Sequence, residues 1–318
     1  MDIYVIVQKY RGYREHIEHI FKMGRWRDRK MNMKTFFTKC AAMIMLLLAL
    51  WGTEVVYAQE EYSDEQESYN LLLIGSDHRD DSWNGNSDVV ILVTVNQDSE
   101  EIILTSFMRD LYADIPGYGV HKLNYAFAVG GGDVLVQTLE DNYRLQIDNY
   151  AIVDFMDMEN IVDLLGGVEI TLSDEECANL NLYLPQLGAP EEDYLYTGGT
   201  YLLDGYQAVA YMRIRYVGNN DYQRTQRQRD VLKEIFSSMQ ELNAAELLTI
   251  STEIIAQIEH NIQPVEMIKL TAMLPQFTKY ELSEERIPYD DLYYSQDEML
   301  VPDFEATIAR LHETLGIE

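Results

Sequence analysis

The sequence predicts one α/β domain over residues 69–318, with helices flanking a mixed sheet of parallel and antiparallel strands. Two observations lead there. Short apolar runs of strand length alternate with longer amphipathic stretches from residue 69 to the end, with no linker between them. Two neighbouring runs are separated only by the polar turn Asn96-Gln-Asp-Ser99, which makes them an antiparallel hairpin. Composition allows the fold: 47% of residues are hydrophobic and 11% aromatic, enough for a sizeable core.

The elements follow in order. Asn70-Leu-Leu-Leu-Ile74 is a continuous apolar run that stops at Gly75 and reads as a buried strand. Residues 88–95 and 101–105 form the hairpin. Helices are expected at 123–128 and from Asp133, an acceptable N-cap, to about Tyr143. Residues 150–153 read as strand, 158–165 as a helix stopped by Gly166-Gly167, and 168–172 as strand. The stretch 173–197 is the least regular. A helix is expected at 204–212, then a long one at 223–242 whose buried stripe is Val231, Leu232, Ile235, Phe236 and Met239. Helices at 244–258, 265–274 and 304–315, the last capped by Asp303, complete the chain. No internal repeat or low-complexity segment interrupts this pattern.

The first 68 residues read differently. Residues 1–34 are a basic leader, with Met31 or Met33 a plausible true start. Residues 35–58 carry a short apolar run followed by Val56-Tyr57-Ala58, the small-residue pattern of a signal-peptide cleavage site. The strict run is short of the roughly 20 residues a membrane span needs. It reaches that length if Lys39 and Glu54 extend to the interfaces. Cleaved signal peptide and retained single-pass anchor therefore both stand. Each places the body outside the cytoplasmic membrane, because the Lys/Arg excess lies N-terminal and stays inside. Residues 59–68 are an acidic linker. Only Cys40 and Cys177 are present, so cleavage near Ala58 leaves no disulfide.

Charge is the most informative feature of the body. The chain carries a net charge of −30, yet residues 1–58 are net positive, so the remainder is more acidic still. Broad nucleic-acid binding, which needs extended basic surface, is excluded. Eight of the fourteen body cations nonetheless fall in four short motifs: Arg79, Arg109, Lys122, then Arg213, Arg215, Arg224, Arg227 and Arg229. Arginine predominates, which suits forked recognition of phosphate oxygens. The expectation is convergence on one anionic ligand; the alternative is that each arginine pairs with a nearby carboxylate. Asp77 and Arg79 follow the first strand, where α/β folds place ligands. Asp88 opens the second strand, so Asp77 and Asp88 are candidates for an oxygen-only Mg²⁺ site. The six histidines are scattered and Cys177 stands alone in the body, which argues against zinc. Arg109 ends the third strand and Lys122 precedes a helix, whose amides also favour an anion. Alternation puts Arg213 and Arg215 on one side of an extended segment. Helical spacing puts Arg224, Arg227 and Gln228 on one face.

In order and wording these motifs resemble the LytR-CpsA-Psr family of cell-wall glycopolymer ligases. The likeness runs from about Asn70 to Gly316 and includes Val153-Asp-Phe155, Leu165-Gly-Gly-Val168, Leu203-Asp-Gly205 and Val301-Pro-Asp303. The resemblance implies a mixed-sheet domain with a hydrophobic groove for a polyprenyl tail. It implies transfer of a glycan from a polyprenyl-pyrophosphate carrier to peptidoglycan outside the membrane, with Mg²⁺ on the pyrophosphate. By matched motif, Asp77 and Asp88 would hold the metal. Arg79, Arg109, Lys122, Arg213, Arg215, Arg224 and Gln228 would hold the phosphates, and Asp221 would orient the arginines. Met108 departs from the family, which usually has proline there. Partners so implied are the lipid-linked glycan, a peptidoglycan acceptor and membrane lipid. For catalysis, Arg109 is the expected contact to the transferred phosphate, and Asp88 or Asp221 the proton acceptor. A pyrophosphatase that transfers to water, and a non-catalytic binder that regulates envelope synthesis, are the rival readings.

Overall fold

The structure, a computed structural model, describes residues 68–76 and 85–317. The leader, the segment 35–58, nearly all of the linker, and Asp77 and Arg79 lie outside the described residues. Among those described, no helix is long and apolar enough to cross a membrane.

A six-stranded mixed sheet forms the centre. Strands β1 (Ser68–Ser76), β2 (Ser87–Asn96) and β3 (Glu101–Phe107) pair antiparallel in succession. Past the small hairpin of β4 (Tyr112–Ile115) and β5 (Gly119–Lys122) comes helix α1 (Asn124–Tyr143), then β6 (Asn149–Val153), which lies parallel to β1. One sheet face packs Leu72, Ile74, Val90, Leu92 and Ile103 against Leu135, Leu139 and Tyr143 of α1. Both faces are covered by helices, which explains why β1 and β2 read as unbroken apolar runs rather than as alternating ones.

A second lobe grows out of the sheet after β6. It comprises α2 (Phe155–Leu164), β7 (Val168–Leu172), α3 (Asp174–Leu187), β8 (Gly199–Leu203) and α4 (Gly205–Met212). Its core is Val162, Ile170, Leu180, Leu184, Leu203 and Ile214, closed by Val231 of the long helix α5 (Asn220–Glu241). Helices α6 (Ala244–Ile255) and α7 (Pro264–Phe277) follow, separated by the two-residue strand β9 (Glu259–His260), which pairs with β6. Met273 and Phe277 of α7, with Leu232 and Phe236 of α5, cover the other sheet face over Val89, Ile91 and Val93. Strand β10 (Glu281–Ile287) then runs parallel to β3. The hairpin β11 (Tyr293–Gln296) and β12 (Met299–Pro302) and helix α8 (Phe304–Leu315) close the chain. The sheet order is β10-β3-β2-β1-β6-β9.

The two helices expected at 123–128 and 133–143 stand, joined across a kink at Gly131, whose φ of 65° and ψ of −155° are not helical. Several other expectations are corrected. The stretch 173–197, expected to be irregular, holds α3. Its signals were present: Ser173 and Glu176 form a reciprocal capping box, and Gly188 ends the helix left-handed. Helix α2 starts at Phe155, three residues before the expected start, because Asp154 caps it. Arg213 and Arg215 do not lie on an extended segment: Arg213 is the C-cap that follows α4, still at helical angles, and a loop comes next.

Candidate functional site

The site begins with a fault in the ladder between β1 and β2. Gly75 pairs with Val89, but Ser76 pairs with Ser87, which leaves Asp88 as an extra residue without a partner. Such a bulge re-aims a side chain at the end of a strand. Gly75 is required beside it, since a Cβ there would stand 2.6 Å from Cβ of Val89.

Asp88 turns toward a cluster of arginines drawn from three places in the chain. Its Oδ1 accepts a hydrogen bond from Nη1 of Arg109 at 2.8 Å, and its Oδ2 one from Nη2 of Arg215 at 2.9 Å. Nη1 of Arg224 stands 3.7 Å from Oδ2. Asp221, in the first turn of α5, bridges Arg109 at 3.1 Å and Arg224 at 3.3 Å. Asp110 receives Lys122 at 2.9 Å and lies 3.5 Å from Nε of Arg109. Arg213 stacks over Phe155 and Tyr183, at 4.8 and 5.1 Å from the ring centroids. Of the expected phosphate-binding residues, Arg109, Arg213, Arg215, Arg224 and Gln228 therefore converge around Asp88, and Lys122 sits at the edge.

Met108 explains its own departure from the family motif. Its side chain is buried in the core, and its N–H donates to the carbonyl of Ile287 at 3.0 Å, which extends the β3–β10 pairing. A proline there could not donate. The carbonyl of Arg109 accepts from the N–H of Asn124 at 3.1 Å, so the arginine backbone is held on both sides.

Two of the eight motif cations do not join the site, and the expectation that they converge with the rest is corrected. Arg227 is fully buried in the second lobe: it bonds Glu176 at 3.0 Å and the carbonyls of Ile214 and Val217 at 3.1 Å each. Arg229 bonds Ser106 and Glu284, both at 2.9 Å, and ties α5 to β3 and β10. Arg224 and Arg227 leave the same helix but diverge, because the sheet lies on one side of α5 and the lobe on the other.

The electrostatics of the site are unbalanced toward an anion. The Arg224 side chain is only 4% exposed, yet its Nε and Nη1 have no hydrogen-bond acceptor, and Nε of Arg109 has none either. A buried donor left unmade costs about 1–3 kcal/mol. Burial depresses the Arg224 pKa, and the neighbouring charges of Arg109 and Arg215 add to that against the pull of Asp88 and Asp221. Burial raises the Asp88 pKa, but Arg224, Arg109 and Arg215 outweigh it and hold the carboxyl below its usual value.

This has a consequence for stability. Asp88, Glu176 and Glu284 are all held below their ordinary values: burial opposes this, and hydrogen bonds and neighbouring cations prevail. Their contribution is complete above the ordinary carboxylate range and is lost as pH falls through it. Glu159, Glu234 and Glu266 are raised, first by burial, so they cost stability while ionised and the cost fades on acidification. Stability should therefore rise on mild acidification from neutral pH, as the raised carboxyls take up protons, and fall once the pH drops below the ordinary carboxylate range. Scanning calorimetry checks this; a melting temperature that declines steadily from neutral pH would contradict it.

Beside the arginines opens a cavity of about 480 Å³. Its polar end is Asp88, Arg213, Arg215, Arg224 and Gln228. From there it runs between the sheet face at Leu73 and Ile91, helix α5 at Leu232 and Met239, and helix α6 at Ile254 and Ile255. Leu232 and Met239 belong to the apolar stripe that the sequence predicts for the long helix, and helical periodicity cannot tell a core face from a cavity wall.

Oxygen ligands for a hard cation fit the residues present. Each Asp88 oxygen accepts one arginine hydrogen bond and retains a lone pair, and the carboxyl stays ionised. Among the described residues, no group of three or more His, Cys, Asp or Glu is arranged to hold a metal. A site here would thus lean on ligand oxygens and water, as Mg²⁺ commonly does.

Comparison with known proteins now bears on this geometry. A family model described as the LytR_cpsA_psr family matches residues 52–313. The polyisoprenyl-teichoic acid–peptidoglycan teichoic acid transferase TagU of Enterococcus faecalis is 36% identical over 185 residues, 57% of each chain. The protein of the same name from Oceanobacillus iheyensis is 32% identical over 221 residues, 67% of this chain and 64% of its own. The chain thus spans less than two thirds of either relative. A solved structure of Bacillus subtilis YwtF (TagT) with bound octaprenyl pyrophosphate lipid matches with a TM-score of 0.59 at 26% identity, over 79% of this chain and 92% of that one.

Proposed function

The chain belongs to the LytR_cpsA_psr family, and from that premise we propose that it is an extracytoplasmic phosphotransferase. In this reading it moves a glycopolymer from a polyprenyl-pyrophosphate carrier to a sugar hydroxyl of peptidoglycan. One observation carries the reading: Arg224, buried with two donor nitrogens that have no acceptor, lines the polar end of an apolar cavity. A ligand with a pyrophosphate head and a long hydrocarbon tail satisfies both halves at once. The head supplies acceptors to Arg224, Arg109 and Arg215, and the tail lies along Leu232, Met239 and Ile254. The likeness to a protein that holds octaprenyl pyrophosphate supports this placement.

Phosphoryl transfer asks the protein mainly for position and charge. Arg109 and Arg224 hold the phosphate that departs with the glycan and the one that stays with the lipid. The acceptor hydroxyl oxygen bonds to the glycan-linked phosphorus, and the bond from that phosphorus to the bridging oxygen breaks. Polyprenyl phosphate leaves with the electron pair. Asp221 takes the hydroxyl proton in this scheme. Asp88 is the poorer base, because three guanidinium groups hold it ionised and its pKa low. Asp88, with Asp77 next after β1 in sequence, would hold Mg²⁺, which neutralises pyrophosphate charge when bound. The work takes place on the outer face of the cytoplasmic membrane, where the lipid carrier is anchored.

Labelled lipid-linked glycan and isolated peptidoglycan test the proposal. Label should become covalently attached to peptidoglycan, EDTA should stop it, and Asp88→Asn should lower the rate about 100-fold or more. Label released only into solution would instead identify a pyrophosphatase. Full activity of Asp88→Asn, or indifference to EDTA, would remove the metal from the scheme.

A further inference from the structure

Helices α6 and α7 form an outer wall of the apolar cavity, and their outward faces carry an uncharged stripe. Toward the cavity α6 presents Ser251, Ile254 and Ile255, and α7 presents Leu274. Elsewhere α6 exposes Ala245, Leu248 and Thr252, and α7 exposes Val265, Ile268 and Ala272. Steps of three and four residues put each set on one stripe of its helix. Leu248 is 51% exposed, Val265 66% and Ile268 41%. Of the twelve residues of α6 only Leu247 and Ser251 are buried, although seven are alanine, leucine or isoleucine. An apolar helix with so little of its surface covered points to a further contact.

Three features say what covers it. One is where the chain enters. Strand β1 begins at Ser68, and only the linker 59–68 separates it from the apolar segment 35–58. The N–H of Asn70 donates to Asp148 at 2.7 Å, and the side chain of the next residue, Asn149, donates to Glu266 at 3.1 Å. Glu266 adjoins Val265, and Tyr69 packs in one core cluster with Met273 and Phe277 of the same helix. The entry point therefore lies beside the exposed end of α7. A ten-residue linker spans at most about 35 Å, which keeps this face within reach of whatever holds residues 35–58. Charge is the second feature. Residues 244–279 carry four glutamates and two lysines. The exposed apolar residues Met156, Leu182, Tyr196 and Leu202 lie instead in the second lobe, where residues 154–212 carry twelve acids and no lysine or arginine. Anionic headgroups repel that lobe far more than the two helices. The same acidity opposes a second copy as the occupant, because it brings its own net negative charge.

Distance to the lipid is the third. Asp88 and its arginines stand at the C-terminal end of β1, roughly 26 Å along the strand from Ser68. A domain upright on its linker would hold that cluster well above the headgroups. Laid down on α6 and α7, it keeps the apolar cavity about one helix diameter, roughly 10–12 Å, from the bilayer. We infer that the α6–α7 face is a membrane-docking surface and that its occupant is the lipid bilayer. Leu248, Val265 and Ile268 sink to the boundary between headgroups and acyl chains, and the domain lies on its side. Three side chains dock weakly by themselves; a short linker to the membrane compensates by keeping the face at high local concentration. This rests on the transferase reading given above for the presence of a bilayer-held lipid, and adds to it the orientation of the domain.

Nitroxide labels read the depth of each position. The full chain carries Cys40→Ser, and Cys177 is buried, so one introduced cysteine takes the label. The chain is reconstituted in vesicles of phosphatidylcholine and phosphatidylglycerol. Labels at Leu248→Cys, Val265→Cys and Ile268→Cys should meet a water-soluble nickel complex severalfold less, and oxygen more, than a label at Tyr196→Cys, which is 79% exposed on the lobe. Val265→Asp combined with Ile268→Asp should return the Leu248 label to the nickel accessibility of the Tyr196 one. Both positions are exposed, so the melting temperature and the affinity for octaprenyl pyrophosphate in detergent should stay as in the wild type. Equal nickel accessibility at all four positions overturns the inference, as does a Leu248 label that stays protected in the double aspartate chain. Spin–spin coupling between identical labels also overturns it, and identifies a second copy as the occupant. Failure of the wild-type chain to bind octaprenyl pyrophosphate in detergent overturns the transferase reading instead, and the label depths still decide the docking face.

Discussion

Arg227→Met should lower the melting temperature by roughly 10 °C. The side chain is 1% exposed and makes bonds to Glu176, to Ile214 and to Val217. Methionine keeps much of the volume and none of the donors. Glu176 is then left as a part-buried carboxylate, and two buried carbonyls lose their partner. Breaking a buried pair in this way costs about 3–5 kcal/mol, and each kcal/mol is worth about 2–4 °C in a domain of this size. The damage also spreads locally. Glu176 closes the capping box of α3, and the loop held by Ile214 and Val217 carries Arg215 into the site. Arg227→Lys restores the charge but not the fork, so it should recover less than half of the loss. A shift below about 2 °C in Arg227→Met, read by scanning calorimetry, would show that this buried network contributes little.

Arg224→Gln, three residues earlier on the same helix, should have the opposite profile. Affinity for octaprenyl pyrophosphate should fall about 30- to 150-fold, the equivalent of about 2–3 kcal/mol for charge-assisted bonds. The melting temperature should hardly move. Two Arg224 nitrogens have no acceptor in the folded chain, so the mutation removes a desolvation cost as well as an attraction. Asp88 retains Arg109 and Arg215, and Asp221 retains Arg109, so no carboxylate is stranded. Isothermal titration of both proteins checks the binding. Undiminished affinity would mean that the buried donors serve the fold and not a ligand.

The contrast between these neighbours marks the limit of what the sequence shows. Helical spacing correctly placed Arg224 and Arg227 on nearby angles of one helix. It carried no information about what each would meet. Arg224 reaches back to a bulged strand at Asp88, and Arg227 reaches into a lobe built from residues 155–217. The scarce cations were legible as a functional cluster because an acidic chain has no local reason to group them. Among the described residues, the five at the site, Arg109, Lys122, Arg213, Arg215 and Arg224, could not be separated from Arg227 and Arg229 without the packing.

Local pattern by itself determined much of the frame. The apolar runs of β1, β2 and β3, the buried stripe of α5 and the Asp303 cap of α8 were readable because strand and helix periods leave their mark within a few residues. Strand β10 left no such mark. Glu281-Leu-Ser-Glu-Glu-Arg-Ile287 is mostly polar, and it is a strand because β3 supplies a parallel partner and Arg229 and Lys233 neutralise Glu284. The β11–β12 hairpin was equally silent: its turn is Asp297-Glu298, both at positive φ, where Asn-Gly would have announced it. Only the tertiary structure decided that the stripe of α5 is partly core and partly cavity wall, and that Asp88 meets Arg215 from 127 residues away. Periodicity is a property of neighbours along the chain, whereas a cavity and an ion cluster arise where segments distant in sequence come to share one boundary.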